Sequence, residues 1–291
     1  MKIKDKRLTI LSEIEEFAFY GLPDFDDEQR ATYFTFTQEE IDLICRCREF
    51  HAQVYCAIQI GYFKAKHMFF QFSLNRIPKE DIHFILTRYF ENRELITFPI
   101  TKNEYYFQRT EILKLFGYVL WGKGNSPLAK RFAEEMAKRD ATPKFILQEL
   151  FHFLKEQKIV RPGYTTLQTV VSEALVSESL RIKTFLQKHL TEIDKKLLQV
   201  LIRNDDTLIL LAALKQDAKN FNFTQMNVET KKHQLLKSLY PIANNVLPHL
   251  ALSQQNISYY ASLVHRYTVR DLNRFDDEKT YLAEFKVEVQ H

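Results

Sequence analysis

Glycine is scarce in this chain, with six in 291 residues beside eight prolines. So few turn-formers leave little room for the tight hairpins of a sheet-rich fold, and they favour helices. No run of about 18 apolar residues occurs, so an ordinary membrane-spanning helix is not expected. The three cysteines are an odd number, and no cleavable apolar leader precedes them. A disulfide framework is therefore not expected, and a reducing, cytoplasmic setting is. Signatures of catalysis are missing as well: no glycine-rich phosphate loop, no G-x-S-x-G elbow, no H-E-x-x-H pair and no cysteine-nucleophile motif. Cys45 and Cys47 fall about 200° apart on a helix. With Cys56 they read as packed or surface cysteines rather than metal ligands. His51, His67, His83, His152, His189 and His233 show no ligand spacing. Carboxylates gather in solvated runs at Glu13 to Glu16, Asp24 to Glu28 and Asp276 to Glu278, not separated on a sheet as a metal-dependent nuclease needs. No cofactor and no metal is expected.

What the chain has in quantity is apolar and aromatic bulk. Hydrophobic residues make up 45%, including 24 Phe and 14 Tyr, enough for a sizeable core. The length exceeds that of a typical single domain, so two or three are expected. Net charge is only +4, and nothing global demands a polyanionic partner. The distribution is more telling. Between residues 43 and 79 stand six basic residues against Glu49 alone, and residues 98–161 carry 12 basic against 7 acidic.

Local signals place the helices. A short one runs through Ile14 and Phe17 and stops at Gly21, before an acidic loop. Thr37 and Glu40 form a capping box flanked by the apolar staple Phe36 and Ile41, so a helix starts at Thr37. Its apolar pattern runs on to Phe63, which is long for one helix, so a break is expected near Glu49 to Ala52. Pro78 opens another helix. Thr101 and Glu104 repeat the capping box, and helices follow at about 104–120, 126–139 and 143–157. Pro162 and Gly163 then make a turn. Thr165, three residues before Gln168, reads as the cap of a helix reaching about His189, with Leu167, Val170, Val171, Ala174 and Leu175 on one face. Thr191 and Asp194 cap the next helix. Amphipathic segments follow near 206–219, 224–240, 243–252 and 256–268. The class read from this is all-α, in several units: residues 1–97, 98–160 and 161–291.

Basic residues interleaved with aromatics on short helices are the remaining chemical signal. In the first unit Arg46, Arg48, Gln53, Lys64 and Lys66 could face DNA, because two helices joined by a tight bend present one to the major groove. In the second, Arg109, Lys114, Lys123, Lys130 and Arg131 could meet phosphates, with Lys138, Arg139 and Lys144 beside them. Arg161, Tyr164, Thr165 and Thr166 cluster at a helix N-terminus, where free N–H groups and the dipole favour an anion. Solvated helix faces and an ordinary turn and cap account for the same residues, and on local features alone that blander reading leads.

The run ILQELFHFLKEQKIVRPGYTTLQTVVSEAL, from Ile146 to Leu175, resembles the N-terminal region of Tn3-family transposases. YFTFTQEEIDLICRCREFHAQVYCAIQIGYFK, from Tyr33 to Lys64, is similar to that family's opening block, and ISYYASLVHRYTVRDLNRFDDEKTYL, from Ile257 to Leu282, to the block leading into its later regions. The resemblance implies helix-turn-helix-like DNA-binding units followed by a helical linker or scaffold. It implies double-stranded DNA, at the terminal inverted repeats of a transposon, as the partner. It also implies self-association, or pairing with a full-length transposase as an interaction module or inhibitor, as the alternative. The family's catalytic carboxylates lie beyond the point where this chain stops, so the chain is expected to bind ends without cutting them. The tail after Leu282 departs from the family's apolar continuation and reads as a natural truncation, a frameshifted remnant or a chosen end-point. A bacterial cytoplasmic, nucleoid-associated location follows from the same resemblance.

Overall fold

A computed structural model describes residues 8–203, 218, 220 and 222–264. The amphipathic segment expected at 206–219 lies almost wholly outside these residues, as do the acidic run at Asp276, the tail, and all of the third resembling block after residue 264. Among the described residues the chain is all-α, as its composition suggests. Twelve α-helices lie within the described residues: α1 Glu13–Tyr20, α2 Asp27–Tyr33, α3 Gln38–Cys45, α4 Phe50–Lys66, α5 Lys79–Tyr89, α6 Lys102–Phe116, α7 Ser126–Arg139, α8 Pro143–Glu156, α9 Tyr164–His189, α10 Glu192–Arg203, α11 Phe223–Leu250 and α12 Gln254–Val264. One isolated parallel bridge, Val119 to Ile159, is the only strand-like pairing among them. The chain divides into two compact units, Met1–Lys130 with Leu147–Val170, and Arg131–Ile146 with Val171–His291.

The first unit is built around α4. Its run from Val54 to Phe63 has no polar face, and every residue in it is buried. A helix that is apolar all round belongs inside, and α2, α3, α5 and α6 pack around this one. Gly61 allows the closest approach: a Cβ there would lie 2.3 Å from ring carbons of Phe34. Phe34, Tyr62, Ile58, Ile85 and Ile112 are almost fully enclosed, each contributing about 1.5–3 kcal/mol by leaving water. One charged group sits among them. Asp81 is completely buried, where it accepts from Arg30 Nε at 2.7 Å and from the Tyr62 hydroxyl at 3.1 Å.

The second unit has its own core, in which Ile182, Leu186, Leu190 and Leu198 join Leu239, Ile242, Val246 and Leu250. Buried Asn256 ties its backbone together, donating to the carbonyls of Ala137 at 2.9 Å and Lys138 at 3.0 Å. Arg181 pairs with Glu178 at 2.7 Å and reaches the Leu250 carbonyl at 3.1 Å.

Several local expectations change. The acidic stretch read as a loop contains α2, because Asp26 and Gln29 make a reciprocal capping box and Asp27 and Glu28 sit where the helix dipole favours them. Thr101 accepts from Glu104 N–H, but no reciprocal bond completes that box. Pro78 caps α5 from outside rather than opening it. The segments expected as two helices at 224–240 and 243–252 are one, α11, running through Pro241 and Pro248. Its buried stripe of Leu239, Ile242, Val246 and Leu250 continues across both prolines, so packing outweighs the lost hydrogen bonds. The Thr165–Gln168 box does not form. Gly163 starts α9 by accepting from Thr166 and Leu167 N–H at 3.0 and 3.4 Å, and the Gln168 amide is spent on the Leu8 carbonyl at 3.0 Å.

Candidate nucleic-acid interface

Two sets of cations emerge in the first unit, and they differ in what they face. The set along α3 and α4 faces carboxylates. Arg46 pairs with Glu111 at 2.7 Å, and Glu111 also receives Lys114 at 2.7 Å. Lys114 and then Arg46 hold the Glu111 carboxyl below its ordinary range. Lys64 reaches Glu40 at 3.2 Å and the Thr35 carbonyl at 2.9 Å. Gln53 donates its amide to the Cys47 carbonyl at 2.9 Å and so fixes the bend itself. The bend expected near Glu49 is present, yet α4 is enclosed and does not offer a face to a DNA groove. Of the candidate contact residues in this part of the chain, only Arg46 and Arg48, on the turn between α3 and α4, are exposed. Arg109 lies over the Phe69 ring at 5.3 Å, with its Nε buried and unbonded.

The second set gathers where the end of α4, the end of α8 and the start of α9 meet. Backbone hydrogen bonds assemble it. Val119 N–H donates to the Lys158 carbonyl at 2.9 Å, Val160 N–H to the Val119 carbonyl at 2.8 Å, and Arg161 N–H to the His67 carbonyl at 2.9 Å. This brings Lys66, His67, Lys155, Lys158 and Arg161 into one neighbourhood. None of the five makes an ion pair among the described residues. Burial first, then Lys155 and Arg161, lowers the His67 pKa from 6.5 to about 4. Burial followed by Arg161 lowers Lys66, and burial lowers Arg161. The His67 ring stacks on Tyr118 with centroids 5.5 Å apart. Tyr20, close to Arg161, has a buried hydroxyl with no partner.

Two backbone positions sharpen this neighbourhood. His67 ends α4 at φ 53°, and Lys158 follows α8 at φ 50°. The left-handed region costs an L-residue about 1–2 kcal/mol, and glycine is the usual occupant of such a helix end. A basic side chain stands at each instead. Gly117, which ends α6 at φ 69°, shows the ordinary solution, and a Cβ there would lie 3.4 Å from Lys158 Nζ.

The remaining expected residues fall as follows. Lys66 donates to the Ala18 carbonyl and Arg161 to the Phe19 carbonyl at 3.4 Å, so both attend the negative C-terminal end of α1. Arg161 also stacks on Phe151 at 4.2 Å. Tyr164 is buried, its hydroxyl accepting from Ile10 and Leu11 N–H at 3.1 and 2.9 Å. These three side chains therefore fasten the N-terminal segment. Thr165 is exposed and Thr166 half-buried. Lys123 is exposed between Gly122 and Gly124 in the turn before α7, and Lys130 and Arg131 are exposed on α7. Lys155, Lys158 and His67 were absent from the sequence-based candidates. The αL positions that single out two of them are a backbone property, and a basic residue just past an amphipathic helix was their one sequence trace.

A family profile described as a domain of unknown function, DUF4158, matches residues 10–174. The chain belongs to the DUF4158 family. That match runs from α1 into α9 and contains the whole junction. The transposase for transposon Tn1546 of Enterococcus faecium is 23% identical over 203 residues, covering 69% of this chain. The DUF4158 chain spans only about a fifth, 20%, of that relative's length. It is thus a transposase-like region, as the resembling blocks suggested. Among the described residues no group of three His, Cys, Asp or Glu is placed to hold a metal ion, and no helix is long and apolar enough to cross a membrane.

Proposed function

We propose that the chain binds double-stranded DNA at the terminal inverted repeats of a transposon, as the end-recognising part of a transposase. The observation that carries this reading is the junction where Lys66, Lys155, Lys158 and Arg161 gather around His67, four cations with no ion pair among the described residues. Gathering like charges in a half-buried place is unfavourable unless an anion answers them. Lys155 and Lys158 are the exposed members and take the phosphates, while Arg161 and Lys66 hold the N-terminal segment behind them. Arg48, Lys114, Lys123, Lys130 and Arg131 add contacts that fix register without reading sequence. In this reading recognition lies before residue 161 and a scaffold after it, strand cleavage belongs to another region, and the protein works at the nucleoid in the cytoplasm. The similarity to the Tn1546 transposase supports it. The test is a band-shift series with a duplex carrying the element's terminal repeat against a scrambled duplex. Preference for the repeat, with affinity falling steeply as salt rises, is expected; equal affinity for both duplexes removes the specificity claim.

A second reading is a protein-interaction module that pairs with a full-length transposase and inhibits its assembly. Ile193, Phe223, Met226 and Tyr240 in the second unit are all more than 60% exposed, and large exposed apolar side chains mark docking surfaces when they are contiguous. Light scattering separates the two readings. A stable dimer indifferent to DNA supports the second.

A further inference from the structure

The extended segment after α4 and the first turn of α6 enclose an open cleft of about 460 Å³. Its floor is Tyr55 stacked on Phe72, with centroids 4.1 Å apart and ring planes 18° from parallel. Phe98 and Tyr106 stand at its walls with 58% and 59% of their surfaces exposed. Phe98 meets His51 with centroids 5.4 Å apart and Tyr106 meets Tyr105 at 6.0 Å, so each ring is held in place while more than half of its residue stays exposed. The cleft's charge has one sign: Lys102 is the sole charged residue lining it. Gln71 and Ser73, both exposed, offer donors and acceptors at the edge.

We infer that this cleft binds an unpaired nucleobase, stacked on its aromatic side chains, with Lys102 on the adjoining phosphate. Size argues for a single nucleotide unit. The volume lies within the roughly 300–1,000 Å³ of small-ligand sites, whereas an α-helix is about 10–12 Å across and needs a long groove. A base inside a duplex has no free face to offer, so the base must come from a single strand, a flap or an extruded position. Aromatic stacking tolerates every base, an amide and a hydroxyl can meet a base edge, and the absence of acids suits a polyanionic strand. The inference stands apart from the terminal-repeat reading, because a strand with free bases suffices.

The experiment uses the full chain with a short single-stranded oligothymidylate carrying one 2-aminopurine, and, in parallel, a blunt duplex of random sequence. Saturable quenching of the 2-aminopurine is expected. Phe98→Ala with Tyr106→Ala should weaken oligonucleotide binding roughly tenfold or more, Lys102→Ala should weaken it less, and duplex affinity and the melting temperature should not move. No saturable quenching, or quenching unchanged in the double variant, overturns the inference. So does an aromatic acidic peptide that binds the wild type and not the double variant while the oligonucleotide ignores both. No duplex binding by the wild type, with saturable quenching of the single strand, refutes the phosphate junction and leaves the cleft standing.

Discussion

Two groups of cations beside one helix treat positive charge in opposite ways. Along α4, from its start to its last turn, Arg46 answers Glu111, Arg30 answers Asp81 and Lys64 answers Glu40. Beyond Lys64, Lys66 and His67 join Lys155, Lys158 and Arg161, and none of these makes an ion pair among the described residues. The paired cations spend their charge inside the fold, where Asp81 in particular would otherwise be a bare buried anion. Of the unpaired ones, Lys155 and Lys158 are exposed. Ion pairs on the first side therefore report on stability, and the second side should report on an external anion.

The largest effect should come from breaking the paired side. Asp81→Ala strands Arg30 and the Tyr62 hydroxyl in the core and should cost about 3–5 kcal/mol in denaturant unfolding, while the folded fraction keeps its DNA affinity. Next, charge reversal at Lys155 and Lys158 should leave unfolding unchanged and cut duplex affinity at least tenfold. It should also flatten the log–log salt slope by about 0.9 for each phosphate that is no longer neutralised. Lys158→Gly sharpens the contrast by moving two readouts in opposite senses. Relief of the left-handed strain should leave stability equal or about 1 kcal/mol higher, while DNA binding weakens.

His67 supplies a pH test. Its folded pKa is about 4, below the 6.5 of the unfolded chain. The unfolded state thus binds more protons between these values, so the stability His67 contributes is complete above pH 6.5 and is lost as pH falls toward 4. His67→Asn tolerates the left-handed backbone and should flatten that acid limb of the unfolding curve. An anion beside Lys155 and Arg161 would raise the His67 pKa, so duplex affinity should strengthen as pH falls in the wild type and less so in His67→Asn. The smallest effect is expected from Arg46→Ala, whose 56% exposed side chain makes a pair worth about 1 kcal/mol or less.

How far the sequence reveals this molecule depends on the distance over which each signal acts. The Thr37–Glu40 box and the break before Phe50 were legible because caps and turns are local chemistry. The all-α class followed from scarce glycine and from helical periodicity. Burial was the illegible part. Nothing in the spacing of Gln53, Lys64 and Lys66 says that α4 is sheathed by four other helices, which turns these side chains from groove readers into fasteners. Tyr164 and Arg161 stood out in the sequence as members of a candidate anion site, whereas their side chains hold the N-terminal segment. Their partners, the backbone of Ile10, Leu11 and Phe19, lie more than 140 residues away in sequence, beyond any local rule. Lys155 and Lys158 escaped notice because a charge on an exposed helix end is common, and only tertiary placement beside His67 distinguishes them.

The most direct measurement is the salt dependence of binding to the terminal-repeat duplex, for the wild type and for Lys155→Glu with Lys158→Glu, under conditions where both unfold at the same temperature. A steep wild-type slope that becomes shallower in the variant, with at least tenfold weaker binding, is expected if the junction holds DNA phosphates. Identical slopes and affinities would contradict it.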